Sequence, residues 1–314
     1  GLYATLYSFP AMMKRNLMKG SVIPRYSGLP TVLKENGYYN LFFMTHEGQY
    51  DNMNAFFRTN GYDEVFSQED YPADKVVNSF GVQDDFLYDY AIPVLNQRAA
   101  TGQPFFATLL SISNHPPYVI PPFFHPKTSE PETQIVEYAD WALRQFFGEA
   151  RKQPWFDNTI FVLEGDHGKL VGDAECELPE SYNHIPLMIY SSRIQPEEKT
   201  TFGGQVDIQP TILGLLNIDY LQNNFGVDLL KEKRPCMFYT ADNMVVGRND
   251  TLLYLYNYET QQELTYDIGN GKLNAVPMDD SFLPLKEYSF SMLQSAEFLV
   301  KHGKTLNSIP FTQQ

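Results

Sequence analysis

The order of hydrophobic and polar residues along the chain predicts strands that alternate with helices. Residues 105–112 and 159–164 are almost wholly apolar, as buried strands of a parallel sheet require. Between such runs, apolar residues recur every three or four positions, which indicates amphipathic helices. This alternation favours an α/β fold with a mainly parallel sheet flanked by helices. The predicted helices are 29–37, 49–60, 82–97, 133–152, 207–216 and 288–302, and the predicted strands are 40–45, 105–112, 159–164 and 185–190.

The pattern changes after about residue 235, where short apolar segments are separated by turn residues. The segments are 237–239, 244–246, 252–256 and 263–266. Their spacing predicts a small antiparallel β subdomain. We therefore expect a larger α/β domain over residues 1–232, followed by a unit over 233–314 that combines the antiparallel strands with a C-terminal helix.

Composition narrows the classes of partner. The net charge of −15 disfavours nucleic acid, because nucleic-acid sites are basic. Cys176 and Cys236 match no metal or redox spacing. No run reaches the roughly 18 apolar residues of a membrane span, and no signal peptide opens the chain. Gly1 is followed at once by Leu-Tyr-Ala-Thr-Leu-Tyr, so we expect the chain to begin inside a structured region of a longer protein.

The candidate metal-binding and catalytic residues lie where predicted strands end. Asp166 and His167 form a Gly-Asp-His-Gly turn directly after strand 159–164. An Asp oxygen beside an imidazole nitrogen suits Zn²⁺ or Mn²⁺, although a turn Asp with a solvated His is the alternative. Ligands bind at the carboxyl ends of strands in open α/β sheets, so histidines at such ends are expected to share one site. The other histidines at a strand end or entrance are His46, His115 and His184.

Such a cluster suits hydrolysis or transfer at phosphorus or sulfur. A metal held by Asp and His lowers the pKa of a Ser or Thr nucleophile, and further imidazoles bind oxygens or move a proton. Asp51 and Asn52, just after His46, are candidate substrate contacts, with helix capping as the alternative. His125 lies in a Pro-rich loop over 116–131, where it either covers the site or belongs to a turn.

Several segments carry a resemblance to a known superfamily. Residues 165–168, 182–190 and 206–216, in this order, resemble the C-terminal half of the alkaline phosphatase and sulfatase superfamily. Residues 42–48 and 113–118 resemble its lipoteichoic acid synthase branch, the extracytoplasmic phosphoryl-substituent transferases of bacterial envelopes. The resemblance implies an alkaline phosphatase-like fold in residues 1–232 and a divalent metal, Mn²⁺ or Zn²⁺ with Mg²⁺ as a further candidate. It also implies a phospholipid or phosphorylated envelope donor, a glycan or lipid acceptor, and membrane attachment through a segment outside this chain.

The resemblance also assigns roles to individual positions. Asp166 and His167 match the metal-ligating pair, with His184 as a further imidazole for metal or substrate. His115 matches the His that contacts the phosphoryl or leaving group, and His46 matches a His that lines the same pocket. The Thr or Ser nucleophile and the acidic ligand of the first strand are expected upstream of Gly1, with Thr5 as the fallback nucleophile.

One departure leaves the transferred group open. Seven and nine residues after His46, where the glycerol-phosphate branch has Trp and Arg, this chain has Met53 and Ala55. We therefore expect a membrane-anchored, extracytoplasmic transferase of a phosphoglycerol- or phosphoethanolamine-type group, with weak or no turnover by these 314 residues alone. The alternatives are a sulfatase, a phosphodiesterase-type hydrolase, or a non-catalytic module of the same fold that binds an envelope polymer. Neither cysteine lies in a formylglycine signature, which disfavours the sulfatase.

Overall fold

The computed structural model describes residues 1–13, 15–20, 22–170 and 173–307. The last part of the predicted C-terminal unit, residues 308–314, lies outside these ranges. The helices are α1 (Leu2–Tyr7), α2 (Leu29–Glu35), α3 (Met53–Thr59), α4 (Asp84–Ala99), α5 (Pro131–Ala150), α6 (Ile208–Leu215) and α7 (Leu283–Lys301). The strands are β1 (Tyr39–Met44), β2 (Glu64–Phe66), β3 (Val76–Asn78), β4 (Gly81–Val82), β5 (Phe105–Leu110), β6 (Phe161–Glu164), β7 (Leu187–Tyr190), β8 (Met237–Ala241), β9 (Met244–Arg248), β10 (Leu252–Asn257), β11 (Gln262–Asp267) and β12 (Asn274–Ala275).

A three-stranded parallel sheet in the order β2-β1-β5 forms the centre of the larger unit. β1 and β5 are in register from Tyr39 opposite Phe105 to Met44 opposite Leu110, so both strands end at the same edge. The side chains of β1 from residue 40 onward are buried, because helices cover both faces of the sheet. The mixed α/β prediction is thereby confirmed. β2 was not predicted, since three residues are too few for a periodic signal.

β6 and β7 form a separate antiparallel pair, with Glu164 opposite Leu187. β5 and β6 nevertheless pack against the same two hydrophobic clusters. Phe106 and Val162 contact the cluster of α2 and α6, whereas Phe105 and Phe161 contact the cluster of α4 and α5. Despite this packing, every side chain of β5 and of β6 is only partly buried.

The C-terminal strands form a sheet in the order β12-β11-β10-β9-β8, which confirms the predicted antiparallel arrangement, although β12 was not predicted. Helix α7 covers one face of it and places Leu285 against Tyr254, and Leu293 against Phe238. This sheet is tied to the larger unit, since the Thr240 hydroxyl donates to the Ala11 carbonyl at 2.7 Å. Within the described ranges, no helix combines the length and the apolar character that a membrane crossing needs.

Candidate functional site

The turn after β6 exposes both members of the Asp-His pair. The side chains of His167 and Asp166 are 66% and 54% exposed. The His167 backbone amide donates to Asp166 Oδ1 at 2.9 Å, and His167 Nε2 lies 3.7 Å from Asp166 Oδ2. His167 Nδ1 lies 2.8 Å from the Gly168 carbonyl oxygen. Because a carbonyl can only accept, Nδ1 carries the proton, so Nε2 is the nitrogen that has a lone pair in the neutral ring, as in a metal-ligating imidazole.

Two structural features hold this turn in place. Gln205 Nε2 donates to the carbonyls of Gly165 and Asp166 at 3.0 Å and 2.8 Å. The Gly168 amide donates to the Tyr182 carbonyl at 2.9 Å, and a Cβ on Gly168 would lie 2.0 Å from the Ser181 carbonyl oxygen. Only glycine therefore fits at Gly168. Sequence reasoning missed Gln205, although its place just before the predicted helix at 207 could have suggested a contact with the strand ends.

His184 lies on the segment that leads into β7. Because β7 runs antiparallel to β6, the start of β7 and the end of β6 lie at the same edge of the pair. The His184 side chain is exposed, and its backbone amide donates to the Glu180 carbonyl at 2.7 Å. The prediction placed His184 at a strand entrance, and the antiparallel pairing brings that entrance to the side of Asp166.

His46 and His115 follow the adjacent parallel strands β1 and β5, and two aromatic rings connect them. The ring centroids of His46 and Tyr50 are 4.6 Å apart, and those of Tyr50 and Phe80 are 6.4 Å apart. Phe80 then lies 4.3 Å from His115. The parallel register thus brings these two imidazoles to one wall, as the strand-end argument predicted.

The two imidazoles of this wall differ in burial. His46 is 2% exposed, and burial lowers its pKa below the usual 6.5. The Glu47 carbonyl and the charges of Asp51 and Glu69 oppose that shift without reversing it. His46 is therefore neutral at pH 7. His115 is half-buried, and its Nδ1 lies 2.7 Å from the Pro116 carbonyl oxygen, which leaves Nε2 unprotonated in the neutral ring.

Asp51 and Asn52 occupy a tight turn with positive φ angles of 48° and 62°. Asp51 forms an ion pair with Lys19 at 2.7 Å, and Asn52 Nδ2 donates to the Met18 carbonyl at 3.0 Å. Asn52 precedes α3, yet its side chain makes no capping hydrogen bond. Both side chains hold the segment around residue 18 next to His46. A direct contact with substrate stays a prediction for both.

Asp84, which the sequence reasoning missed, anchors the segment that carries His115. Asp84 Oδ1 accepts the backbone amides of Ile112 and Ser113, both at 3.0 Å. The Ser113 hydroxyl in turn accepts the Asp84 amide at 3.0 Å. An acidic residue in the first turn of a predicted helix was the available signal. Beyond His115, the loop reaches the Asp-His turn, since Lys169 Nζ lies 3.3 Å from the Tyr118 hydroxyl.

Thr5 and Glu164 form a pair beneath the Asp-His turn. The buried Thr5 hydroxyl donates to Glu164 Oε1 at 2.5 Å. Burial raises the pKa of Glu164 to about 7, although the hydrogen bond from the Thr5 hydroxyl lowers it. α1 begins against Asp166, because a Cβ on Gly1 would lie 2.1 Å from the Asp166 carbonyl oxygen. The Thr5 hydroxyl is thus committed to Glu164, a residue that sequence reasoning did not single out.

The described residues do not form a complete metal site. No group of three or more His, Cys, Asp or Glu side chains within them is placed to hold a metal ion. Asp166 and His167 have the right donor chemistry, but a catalytic Zn²⁺ site usually has three protein ligands. His125 is exposed in the loop before α5. Its suggested covering role stays a prediction.

Sequence comparison places the chain among known proteins. The family model described as Sulfatase matches residues 1–218. Lipoteichoic acid synthase 1 from Bacillus subtilis is 26% identical over 270 residues, which cover 79% of this chain and 40% of the relative. The lipoteichoic acid synthase of Staphylococcus aureus strain NCTC 8325 is 24% identical over 242 residues, which cover 66% of this chain and 35% of the relative. The chain thus spans about two fifths or less of the length of these relatives.

Solved structures share the fold. A protein of the alkaline phosphatase superfamily from Vibrio parahaemolyticus has a TM-score of 0.85 and 26% identity, and the match covers 97% of this chain and 76% of that one. The lipoteichoic acid synthase LtaP from Listeria monocytogenes has a TM-score of 0.79 and 22% identity, with 96% and 79% covered. At that identity, the second likeness concerns the fold alone. The predicted alkaline phosphatase-like architecture is confirmed.

Proposed function

The chain belongs to the sulfatase family, and on that premise we propose that the intact protein is an extracytoplasmic, membrane-anchored, metal-dependent transferase. It moves a phosphoglycerol- or phosphoethanolamine-type group from a phospholipid or other phosphorylated envelope donor to an envelope glycan or lipid. The observation that carries the proposal is the exposed Asp166-His167 turn at the start of α1, in contact with the His115 loop through Lys169 and Tyr118.

In this proposal each residue has a distinct task. Asp166 and His167 hold the metal, with His184 as a third candidate and an acidic residue of an upstream strand completing the set. The metal, Mn²⁺ or Zn²⁺ with Mg²⁺ as a further candidate, supplies positive charge that stabilises phosphoryl oxygens. His115, whose Nε2 is free, binds the phosphoryl or leaving group and moves a proton there. His46 lines the pocket as a neutral imidazole.

The nucleophile in this proposal is a Thr upstream of Gly1, with Thr5 as the fallback. The Thr5 hydroxyl is buried and bonded to Glu164, which disfavours it. The arrangement of β5 and β6 supports an upstream strand. The two strands pack on the same clusters, remain partly exposed and share no hydrogen bonds, as expected if a further strand lies between them.

The proposed metal site is tested by measuring bound Mn²⁺ and Zn²⁺ per chain on a protein extended upstream of Gly1. Asp166→Asn and His167→Ala are each expected to lower metal occupancy at least about tenfold, because each removes one of few ligands. His302→Ala removes an exposed imidazole at the end of α7 and serves as the matched control. Full occupancy in both site variants would refute the assignment.

A hydrolase is the second candidate, favoured by the match to the Sulfatase model. It is separated from the transferase by giving the extended protein a phospholipid donor and an aryl sulfate in parallel. Transfer of the phosphorylated headgroup to an acceptor supports the transferase, whereas its release to water, or the release of sulfate, supports the hydrolase. The third reading, a binding module without catalysis, predicts no turnover of either substrate.

A further inference from the structure

A cleft of about 650 Å³ lies between α7 and the loop that follows α6. Its size is typical of small-molecule sites, which measure about 300–1,000 Å³. None of its lining residues is ionisable, and most carry an amide or a hydroxyl. They are Gln222, Asn223, Asn224, Phe225, Ser291, Gln294, Ser295, Phe298 and Leu299.

The loop wall of the cleft presents amides that are held in place. Gln222 Nε2 donates to the Gly226 carbonyl, and Asn223 Nδ2 donates to the Lys304 carbonyl at 2.6 Å. Asn224 Nδ2 donates to Gln209 Oε1 at 3.2 Å, while Asn224 Oδ1 has no partner. Because their amide nitrogens are bound to protein carbonyls, the amide oxygens of Gln222 and Asn223 remain as acceptors for hydroxyl groups, whereas Asn224 Oδ1 is buried.

The opposite wall is one face of α7. Ser291, Gln294, Ser295 and Phe298 recur at intervals of three and four residues, which places them side by side. The first three are exposed and make no side-chain hydrogen bond to other parts of the described chain. The Phe298 ring is 51% exposed, although His302 packs against it at 4.4 Å and Lys304 Nζ lies 5.6 Å away.

Amide and hydroxyl groups around an exposed aromatic ring match the chemistry of a sugar. Sugar hydroxyls both donate and accept hydrogen bonds, and the C–H face of a pyranose packs on an aromatic ring. An anionic ligand fits less well, because the lining side chains are uncharged, Lys304 lies only beside Phe298 at one end, and the chain carries a net charge of −15. A purely apolar ligand would leave the amides and hydroxyls without partners.

The cleft lies one short helix away from the Asp-His turn. α1 starts against Asp166 and ends at Ser8, whose carbonyl accepts the backbone amide of Phe225 at 3.0 Å. Six residues of helix are about 9 Å long. We propose that this cleft is a binding site for a neutral oligosaccharide, separated from the Asp-His turn by the buried helix α1. The binding itself does not depend on the proposed transfer reaction.

The probe is a set of neutral glucose tetrasaccharides with α1-4, β1-4 or β1-6 linkages, titrated by calorimetry into the 314-residue chain. We expect at least one to bind with a dissociation constant of about 1 mM or tighter. Phe298→Ala and Gln294→Ala should each weaken that binding at least about tenfold. The control is Phe123→Ala, since Phe123 is a similarly exposed ring (57%) that packs on Trp141 instead.

Three results would overturn the proposal. The first is that no tetrasaccharide binds at millimolar concentration. The second is that the Phe298→Ala and Gln294→Ala variants bind the sugar as tightly as the parent chain does. The third is that glycerol phosphate displaces the sugar in a salt-dependent manner. Asp166→Asn should bind the sugar as the parent chain does, with or without EDTA. Failure of the metal assignment is thereby distinguishable from failure of the cleft.

Discussion

At the scale of single residues, burial divides the strand-end histidines into two kinds. His46 is enclosed beside Tyr50, where an imidazolium would lose its hydration. His167 is exposed in its turn, with Nδ1 bound to a carbonyl and Nε2 3.7 Å from the Asp166 carboxylate. The same residue type is thus a buried, neutral ring in one place and a solvent-exposed ring in the other, where metal binding stays a prediction.

The pH dependence of stability tests the burial of His46. Because its folded pKa lies below 6.5, the unfolded chain binds more protons once the pH falls below that value. The stabilising contribution is present above about pH 6.5 and is lost as the pH falls towards the folded pKa. His46→Gln should therefore flatten the curve of unfolding free energy between about pH 7 and pH 5, as measured by urea denaturation. His302→Ala should keep the parent slope, and an unchanged slope in His46→Gln would contradict the assignment.

At the scale of elements, the start of α4 and the end of β5 support each other. One carboxylate oxygen of Asp84 accepts two amides of the strand end, and the strand's Ser113 satisfies the first amide of the helix. These contacts satisfy three backbone amides where the chain turns towards His115. A helix start therefore determines the position of a loop in the candidate site.

Replacement of Asp84 tests this coupling. Asp84→Ala leaves two buried amides without acceptors, so we expect the free energy of unfolding to fall by about 1–3 kcal/mol. We also expect the His115 ring resonances to shift in NMR spectra, because the segment before it loses its anchor. Asp89→Ala, an exposed position on the same helix, should change stability by less than about 0.5 kcal/mol. An Asp84 variant that behaved like the Asp89 variant would remove Asp84 from the site's support.

At the scale of the whole molecule, one buried ion pair joins the segment before α6 to the segment that leads into β8. Asp207 and Arg234 are 0% and 1% exposed, and Arg234 Nε lies 2.9 Å from Asp207 Oδ2. Arg234 also donates to the Phe225 carbonyl at 2.7 Å and to the Tyr288 hydroxyl at 3.1 Å. The pair therefore crosses the proposed boundary at residue 233. The division into two units stays a proposal, and any such units share a buried interface.

Arg234→Met is expected to lower the free energy of unfolding by about 3–5 kcal/mol, because it leaves the Asp207 carboxylate buried without its counter-charge. Urea denaturation measures this loss. Arg248→Met, at a partly exposed arginine paired with Glu180, is the matched control and should cost about 1 kcal/mol or less. Equal losses in the two variants would show that the buried pair does not hold the molecule together.

The sequence alone determined the repeating local structure and the residue types of the site. Apolar runs long enough to show a period predicted the main helices, β1, β5, β6, β7 and the strands β8 to β11 of the C-terminal sheet. Short elements such as β2 gave no such signal. The motif at residues 165–168 indicated the family because its residue types and their order are readable without coordinates, and the family match bears this out.

Only the tertiary structure decided which distant residues meet. The antiparallel pairing of β6 and β7, the Gln205 and Asp84 contacts, and the burial of Glu164 beside Thr5 all join residues far apart in the chain. Hydrophobic periodicity reports which face of an element is buried, and it does not report the partner against which that face packs. The Asp-His pair could therefore be found in the sequence, whereas its supports and the amide-rich cleft beside α7 depend on the packing of the whole chain.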